Sequence, residues 1–350
     1  MKNQTSFKIG QLLLPGLSVL LSSGAALADC TVPISPADIS NPTTVVGNGT
    51  PDSCTEDAFT KAIASAGIIT FNCGPSPYTL TVTSEKTITQ DTVIDGYNPI
   101  YNANLITLSG GNKTRILHVK GPAGFMDQTP VVKIQNLTFI NGQTNDGDTV
   151  GGAAIYRDAG TLNVIDSKFF NNVGPLTGQD SAGGAIFSVG VGATTIVGSD
   201  FESNQASNGG AIGTLFGNMI IVNTQVSGNK ATGHGGNPGN GGNGGGIYID
   251  GIQDTVSLCG VQVNKNQANK FGGGLIRVTY TGGTTTIDQS TFQGNSIIED
   301  GFAAGLYLQG TNVTLTNSTV INDQAPAIPS LKNLVVFSGT LSTNNDTINP

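Results

Sequence analysis

One pattern restricts the fold of this chain more than any other: Phe or Val followed three residues later by Asn. It stands as Phe169 to Asn172, Phe201 to Asn204, Val226 to Asn229, Val263 to Asn266 and Phe292 to Asn295, with looser copies from Phe139 and Val320. Successive starts lie 30, 32, 25, 37, 29 and 28 residues apart, a period that marks stacked supersecondary units. Between them stand Gly183-Gly184-Ala185-Ile186, Gly209-Gly210-Ala211-Ile212, Gly244-Gly245-Gly246-Ile247 and Gly272-Gly273-Gly274-Leu275, with degenerate copies at Gly152 to Ile155 and Ala303 to Leu306.

Aligning the units on the Phe or Val exposes columns. Five residues earlier come Ile134, Val164, Ile196, Ile221, Leu258, Ile287 and Leu315, all branched aliphatic. Two residues earlier come Ser167, Ser199, Thr224, Val261, Ser290 and Ser318, nearly all small. Like residues recur in this way when each unit is one coil whose strands stack about 4.8 Å above the previous coil. Composition agrees. Glycine supplies 50 of 350 residues and charged residues only 11%, while Thr, Asn and Val suit strands and turns better than long helices. The expected fold is all-β, a right-handed parallel β-helix, the hand following from crossover chirality. Asn is expected to form a turn ladder, and the paired glycines the next bend. Leucine-rich repeats need a denser leucine consensus and propeller blades need longer units.

Lys2 and Lys8 precede an apolar run from Leu12 to Leu21, and Ala26-Leu27-Ala28 follows. This is the layout of a secretory leader, residues 1–28, cut after Ala28. The run is interrupted by Pro15 and Gly16 and falls short of the roughly 20 residues of a membrane span. Loss of Lys2 and Lys8 leaves 13 basic against 23 acidic residues, a mature charge of −10, which argues against nucleic acid or anionic lipid as partner. Residues 29–75 read as an N-terminal cap and first strand, and residues 76–350 as the β-helix. In the cap, Ser53-Cys54-Thr55-Glu56 is a capping box, and Phe59, Ala62, Ile63 and Ala66 keep helical spacing as far as Gly67. A helix of about 13 residues is marginal alone and is expected to plug the first coil. Cys54 and Cys73 are expected to form a disulfide across this cap, with Cys30 competing for either. Four cysteines allow three connectivities. Cys259, far away within a repeat, reads as a small buried hydrophobe. The last coils run to Asn345 without a clear polar cap.

The alternating Gly-Gly-Ala-Ile and Phe-x-x-Asn units resemble the passenger repeats of polymorphic outer membrane proteins, bacterial autotransporter adhesins with a pectin-lyase-like β-helix. The resemblance covers residues 139 to about 323, with full matches at Gly183 to Ile186, Phe201 to Asn204, Gly209 to Ile212 and Phe292 to Asn295; Val226, Val263 and Val320 replace the aromatic. It implies the architecture and an adhesive role, but the motif encodes turn and stack rather than chemistry. Proteins of that family end in a membrane β-barrel. These 350 residues carry none, and self-anchoring in an outer membrane is not expected.

The same fold houses pectate lyases and polygalacturonases, which need acids from neighbouring coils in adjacent columns. One residue before the aligned position run Lys168, Asp200, Gln225, Gln262, Thr291 and Thr319, and three before run Asp166, Gly198, Asn223, Gly260, Gln289 and Asn317. No two acids stack in either column. His234, in Gly233-His234-Gly235, is the weak catalytic candidate and reads better as a loop residue, and His118 as a satisfied strand residue. The longest insertions fall between the Asn and the next Gly-Gly and bring Asp146, Asp148, Asp180, His234, Glu299 and Asp300 to one edge. Of these only Asp146 and Asp148 are dense enough to suggest Ca2+; otherwise no cofactor is expected. The position after the Gly-Gly-Ala-Ile aliphatic carries Tyr156, Phe187, Gly213, Tyr248, Ile276 and Tyr307. Strand alternation places it outward, where the aromatics, with Arg157 and Arg277 nearby, form a candidate surface for a glycan or a host-cell protein. The alternative is a packing ladder under a loop. The expected function is a secreted or surface recognition module, adhesin-like. A polysaccharide-active enzyme and a structural spacer are the alternatives, the spacer being favoured if the aromatic column is covered.

Overall fold

The computed structural model describes residues 30–144, 150–236, 238–252, 254–280 and 282–349; residues 1–28, expected to be a leader, and Asp146 and Asp148 lie outside them. The chain winds into a right-handed parallel β-helix whose walls are sheets of eleven, ten and nine strands, with a four-stranded strip at one corner. The first sheet runs from Thr44–Val46 to Thr340–Asn344, the second from Tyr78–Thr81 to Thr347–Ile348, and the third from Lys86–Ile88 to Leu334–Phe337. Among the described residues the hairpin of Tyr97–Asn98 with Ala103–Asn104 pairs antiparallel, as do isolated bridges of His234 with Asn240 and Gly236 with Gly241.

Repeat columns become ladders in register. Phe139, Phe169, Phe201, Val226, Val263, Phe292 and Val320 are paired partners in successive strands of the second sheet, all fully buried. The rings of Phe139, Phe169 and Phe201 stack at 4.9 and 4.5 Å, within 4° of parallel, which is the strand spacing itself. The aliphatic columns headed by Ile134 and Ile155 line the lumen from the other two sheets.

The asparagines differ from expectation in one respect. The left-handed turn conformation belongs to the residue before each one: Asn171, Ser203, Lys265 and Asn322, with Gly228 and Gly294, all have positive φ. That residue makes the bend and thereby turns the following Asn inward. Asn172 donates through N and Nδ2 to Asn204 Oδ1, both at 3.0 Å, and the same paired bond passes to Asn229, Asn266 and Asn295. Each Nδ2 also reaches the carbonyl of the aligned Phe or Val one coil back, as Asn204 does with Phe169 O at 3.0 Å. These buried amides are thus fully paired, the condition under which polar groups rigidify a core. Of the paired glycines, the first supplies the left-handed bend, as Gly183 does at φ 70. The second permits contact: a Cβ on Gly184 would lie 2.3 Å from Gly210 O.

The N-terminal helix spans Glu56–Ser65. Thr55, not Ser53, caps it, its Oγ1 accepting from Ala58 N at 3.1 Å. Pro51–Ser53 is already a 3-10 turn, and Glu56 turns away to take Lys86 Nζ at 2.6 Å and Thr83 N at 2.7 Å. Phe59, Ala62 and Ile63 seal the lumen.

Cys54 bonds Cys73 as expected, but Cys259 is no free hydrophobe: it bonds Cys30, 229 residues away. Residues 30–43 form a strap that climbs the outer face of the first sheet. Two amides grip its backbone at two points each. Gln135 Oε1 accepts from Ala37 N at 2.8 Å while its Nε2 donates to Ala37 O, and Asn223 does the same with Cys30. Ile34, Val197, Ile220 and Val222 pack around the disulfide.

Candidate functional site

The outward aromatic column exists but is covered. Tyr156, Phe187, Gly213, Tyr248, Ile276 and Tyr307 are register partners pointing away from the lumen. Phe187 and Tyr248 are nevertheless 0% exposed, and Tyr307 is half-buried. Ala182, Val150 and Phe271 from neighbouring loops complete a second apolar core over them, the covered arrangement that alternation alone does not reveal. The outward aromatic surface expected from the sequence is therefore a packing ladder at Phe187 and Tyr248, while Tyr307 keeps partial exposure.

Arg157 and Arg277, one residue on, point inward and are also buried. Arg157 donates to Gly160 O at 2.7 Å and Gly190 O at 3.2 Å, and Arg277 to Asp254 O and Thr284 O. Both guanidiniums therefore clamp turn carbonyls between the third and first sheets, and burial pushes each down to about 10. A buried cation held only by neutral acceptors adds little net stability. Arg157→Met is expected to shift Tm by no more than about 3 °C, whereas Arg157→Ala, which leaves a cavity, lowers it further. Thermal melts check this, and a melt of Arg157→Met far below wild type would show the clamp to matter more than its charge costs.

The histidines are engaged elsewhere. His118 Nδ1 meets Glu85 Oε1 at 2.9 Å and its ring lies 4.9 Å from that of Tyr156. Burial pushes the Glu85 carboxyl up, but hydrogen bonds and charge from His118 and Arg115 outweigh it and hold it down at about 2. His234 Nδ1 meets Glu299 Oε1 at 2.6 Å on an exposed loop edge. Asp300 beside it pairs with Lys270, and Asp180 is exposed. Among the described residues no three metal-ligating side chains converge.

A groove missed in the sequence runs along the outer face of the second sheet. Alternation that sends Phe201, Val226, Val263 and Phe292 inward sends both neighbours of each outward. Asp200, Gln225, Gln262 and Thr291 form one column, and Glu202, Ser227, Asn264 and Gln293 the other. The left-handed turn residues Gly228, Lys265, Gly294 and Asn322 raise a wall beside the second column, enclosing about 580 Å³. An adjoining hollow of about 240 Å³ extends it over Lys168, Phe170 and Asp200. From Lys168 to the Thr319 level is five strand spacings, about 24 Å.

The groove is lined by amides, hydroxyls and four charges. Asp200 pairs with Lys168 at 3.7 Å. Asn264 Oδ1, in the floor, is buried with no hydrogen-bond partner, an unmet acceptor that favours a donor from outside. Lys265 stands in a left-handed backbone, φ 56, where its neighbours along the wall are glycines, a strain that places an ammonium over the groove. The signal available in the sequence was polar residues on both sides of the aligned Phe or Val in four consecutive units.

No protein-family model and no curated protein matches the chain. No helix among the described residues is long and apolar enough to cross a membrane.

Proposed function

We propose that the chain is an exported or cell-surface recognition module, adhesin-like, that binds an extended glycan in the groove of the second sheet. The observation that carries this reading is the trough of two adjoining hollows from Lys168 to Asn322, lined mainly by polar side chains with Phe170 at one end. Its closely spaced amide and hydroxyl groups suit a polyhydroxylated chain, and its length suits several sugar units rather than one. Two disulfides and the leader-like first 28 residues favour an oxidising compartment outside the cytoplasm. The repeat units, similar to those of polymorphic outer membrane proteins, add to the adhesive reading. A spacer gains from the covering of the aromatic column but leaves the groove without a purpose.

Residues 29–350 are expected to select oligosaccharides on a glycan array. Asn264→Ala with Gln293→Ala is expected to weaken binding at least ten-fold, while Thr286→Ala on the first sheet leaves it unchanged. Binding that survives the double substitution would move the site elsewhere.

Polysaccharide cleavage is kept as a second reading by one observation: Asp200 and Glu202 flank Phe201 and share the groove, about 7 Å apart along the strand, near the separation of an acid and base acting through water. Incubation with polygalacturonate and related polymers, with and without Ca2+, tests it; new reducing ends or unsaturated products lost in Glu202→Gln would make the module an enzyme.

A further inference from the structure

The buried asparagine ladder changes residue type once, at Asp323. Its Oδ1 accepts from Asn295 N at 2.7 Å and Asn295 Nδ2 at 3.0 Å, as an asparagine in that rung would. Its backbone N donates to Asn333 Oδ1 at 3.1 Å, and Asn333 Nδ2 donates to Asn349 O. Asp323 therefore joins the ladder to the last coil.

The carboxyl is badly placed for a charge. Asp323 is 3% exposed, and its Oδ2 is buried without a hydrogen-bond partner. Asn295 packs against it from one side and Asn333 from the other. Gly305 and Val320 stand beside it, a Cβ on Gly305 falling 2.5 Å from Oδ2. None of these four titrates. Lys332, next to Asn333, is half-exposed and forms no ion pair with it among the described residues. An ionised Asp323 is thus a desolvated anion without a counter-charge, a state avoided either by holding the proton or by opening. Burial correspondingly pushes the group up to about 7, against two donors from Asn295.

Beyond Asp323 the coil is weakly held. Thr340–Asn344 is exposed at every residue, and no residue of Leu334–Phe337 is fully buried. We propose that Asp323 is a proton-operated latch, which holds the terminal coil down when protonated and releases it when ionised. The sign follows from linkage: the folded group binds its proton more tightly than the open one, so the coil is most stable in acid. That stability falls as pH rises above the ordinary aspartate range and is lost by about neutral pH. Release bares the parallel edges of Leu306–Gln309, Asn312–Thr316 and Thr319–Ile321, a template for strand addition.

Backbone hydrogen exchange of residues 334–348, compared between wild type and Asp323→Asn at each pH, tests the latch, because the comparison cancels the intrinsic pH dependence of exchange. The ratio of wild-type to variant exchange rate is expected to rise at least ten-fold from pH 5 to pH 8. A ratio that does not change with pH overturns the proposal. The wild-type protein provides a second measurement that needs no variant: the Asp323 carboxyl carbon is expected to titrate near pH 7 by NMR, and a midpoint in the ordinary aspartate range overturns it equally.

Discussion

Cys259→Ser is expected to lower the Tm by about 10 °C and to make the N-terminal strap the first segment cut by protease. The Cys30–Cys259 bond closes a loop with a sequence separation of 229. In the chain-entropy account, a loop of that length restricts the unfolded chain by about 5 kcal/mol, which for a domain of this size corresponds to about 10 °C. The bond also couples elements that a coil stack leaves independent. In a solenoid each coil touches only its neighbours, so ends fray separately. The strap, gripped at Ala37 by Gln135 and at Cys30 by Asn223, ties the first strand to one far along the same sheet. Cys30→Ser is expected to match Cys259→Ser, and reduction of the wild type, which also opens Cys54–Cys73, to lower the Tm further than either. Cys54→Ser with Cys73→Ser, opening a far shorter loop, is expected to cost less, about 3 kcal/mol. Equal melts for wild type and Cys259→Ser under non-reducing conditions would show that the strap carries no stability. A loss seen only in proteolysis would confine its role to the N-terminus.

Where sequence and structure agree, the cause is stacking. A coil that rests on a copy of itself must place like residues over like, so the Phe139 and Ile134 ladders are legible in the sequence as columns. What escaped reading depends on contacts that the period does not encode. Alternation put Tyr248 outside the lumen, as found, but the loops that bury it arrive from other coils. The same alternation turns Arg157 inward once Tyr156 points out, where its guanidinium is buried against turn carbonyls. The Cys30–Cys259 pair joins residues with no local relation, and three connectivities were equally consistent with spacing. The groove escapes a reading for stacked acids one and three residues before the aligned Phe or Val, because one of its two walls is the column one residue after it. Its chemistry lies in amides and hydroxyls, which that reading passes over.

The middle of the asparagine ladder offers a harder test of what holds the coils together. Asn229→Ala is expected to destabilise the protein by about 3–5 kcal/mol, more than its small loss of apolar contact explains. Asn229 Oδ1 accepts from both N and Nδ2 of Asn204, at 2.9 and 3.0 Å, and its Nδ2 donates to Asn266 Oδ1 and Phe201 O. Truncation leaves the Asn204 backbone N–H and one Nδ2 hydrogen without an acceptor in a fully buried site, each orphan costing about 1–3 kcal/mol. Asn229→Asp separates the two halves of this arrangement. It keeps the acceptor toward Asn204 but loses the donor toward Asn266 and Phe201, and it buries an anion. The new carboxyl should hold its proton more tightly folded than unfolded. Asn229→Asp is therefore expected to lie between wild type and Asn229→Ala in acid, where the protonated carboxyl keeps the acceptor toward Asn204, and to fall further behind wild type as pH rises through the folded group's titration. Denaturant melts at pH 5 and pH 8 read the difference. A pH-independent cost for Asn229→Asp would mean that water reaches the ladder, and the dry, fully paired amide stack could not then be what sets the register of the coils.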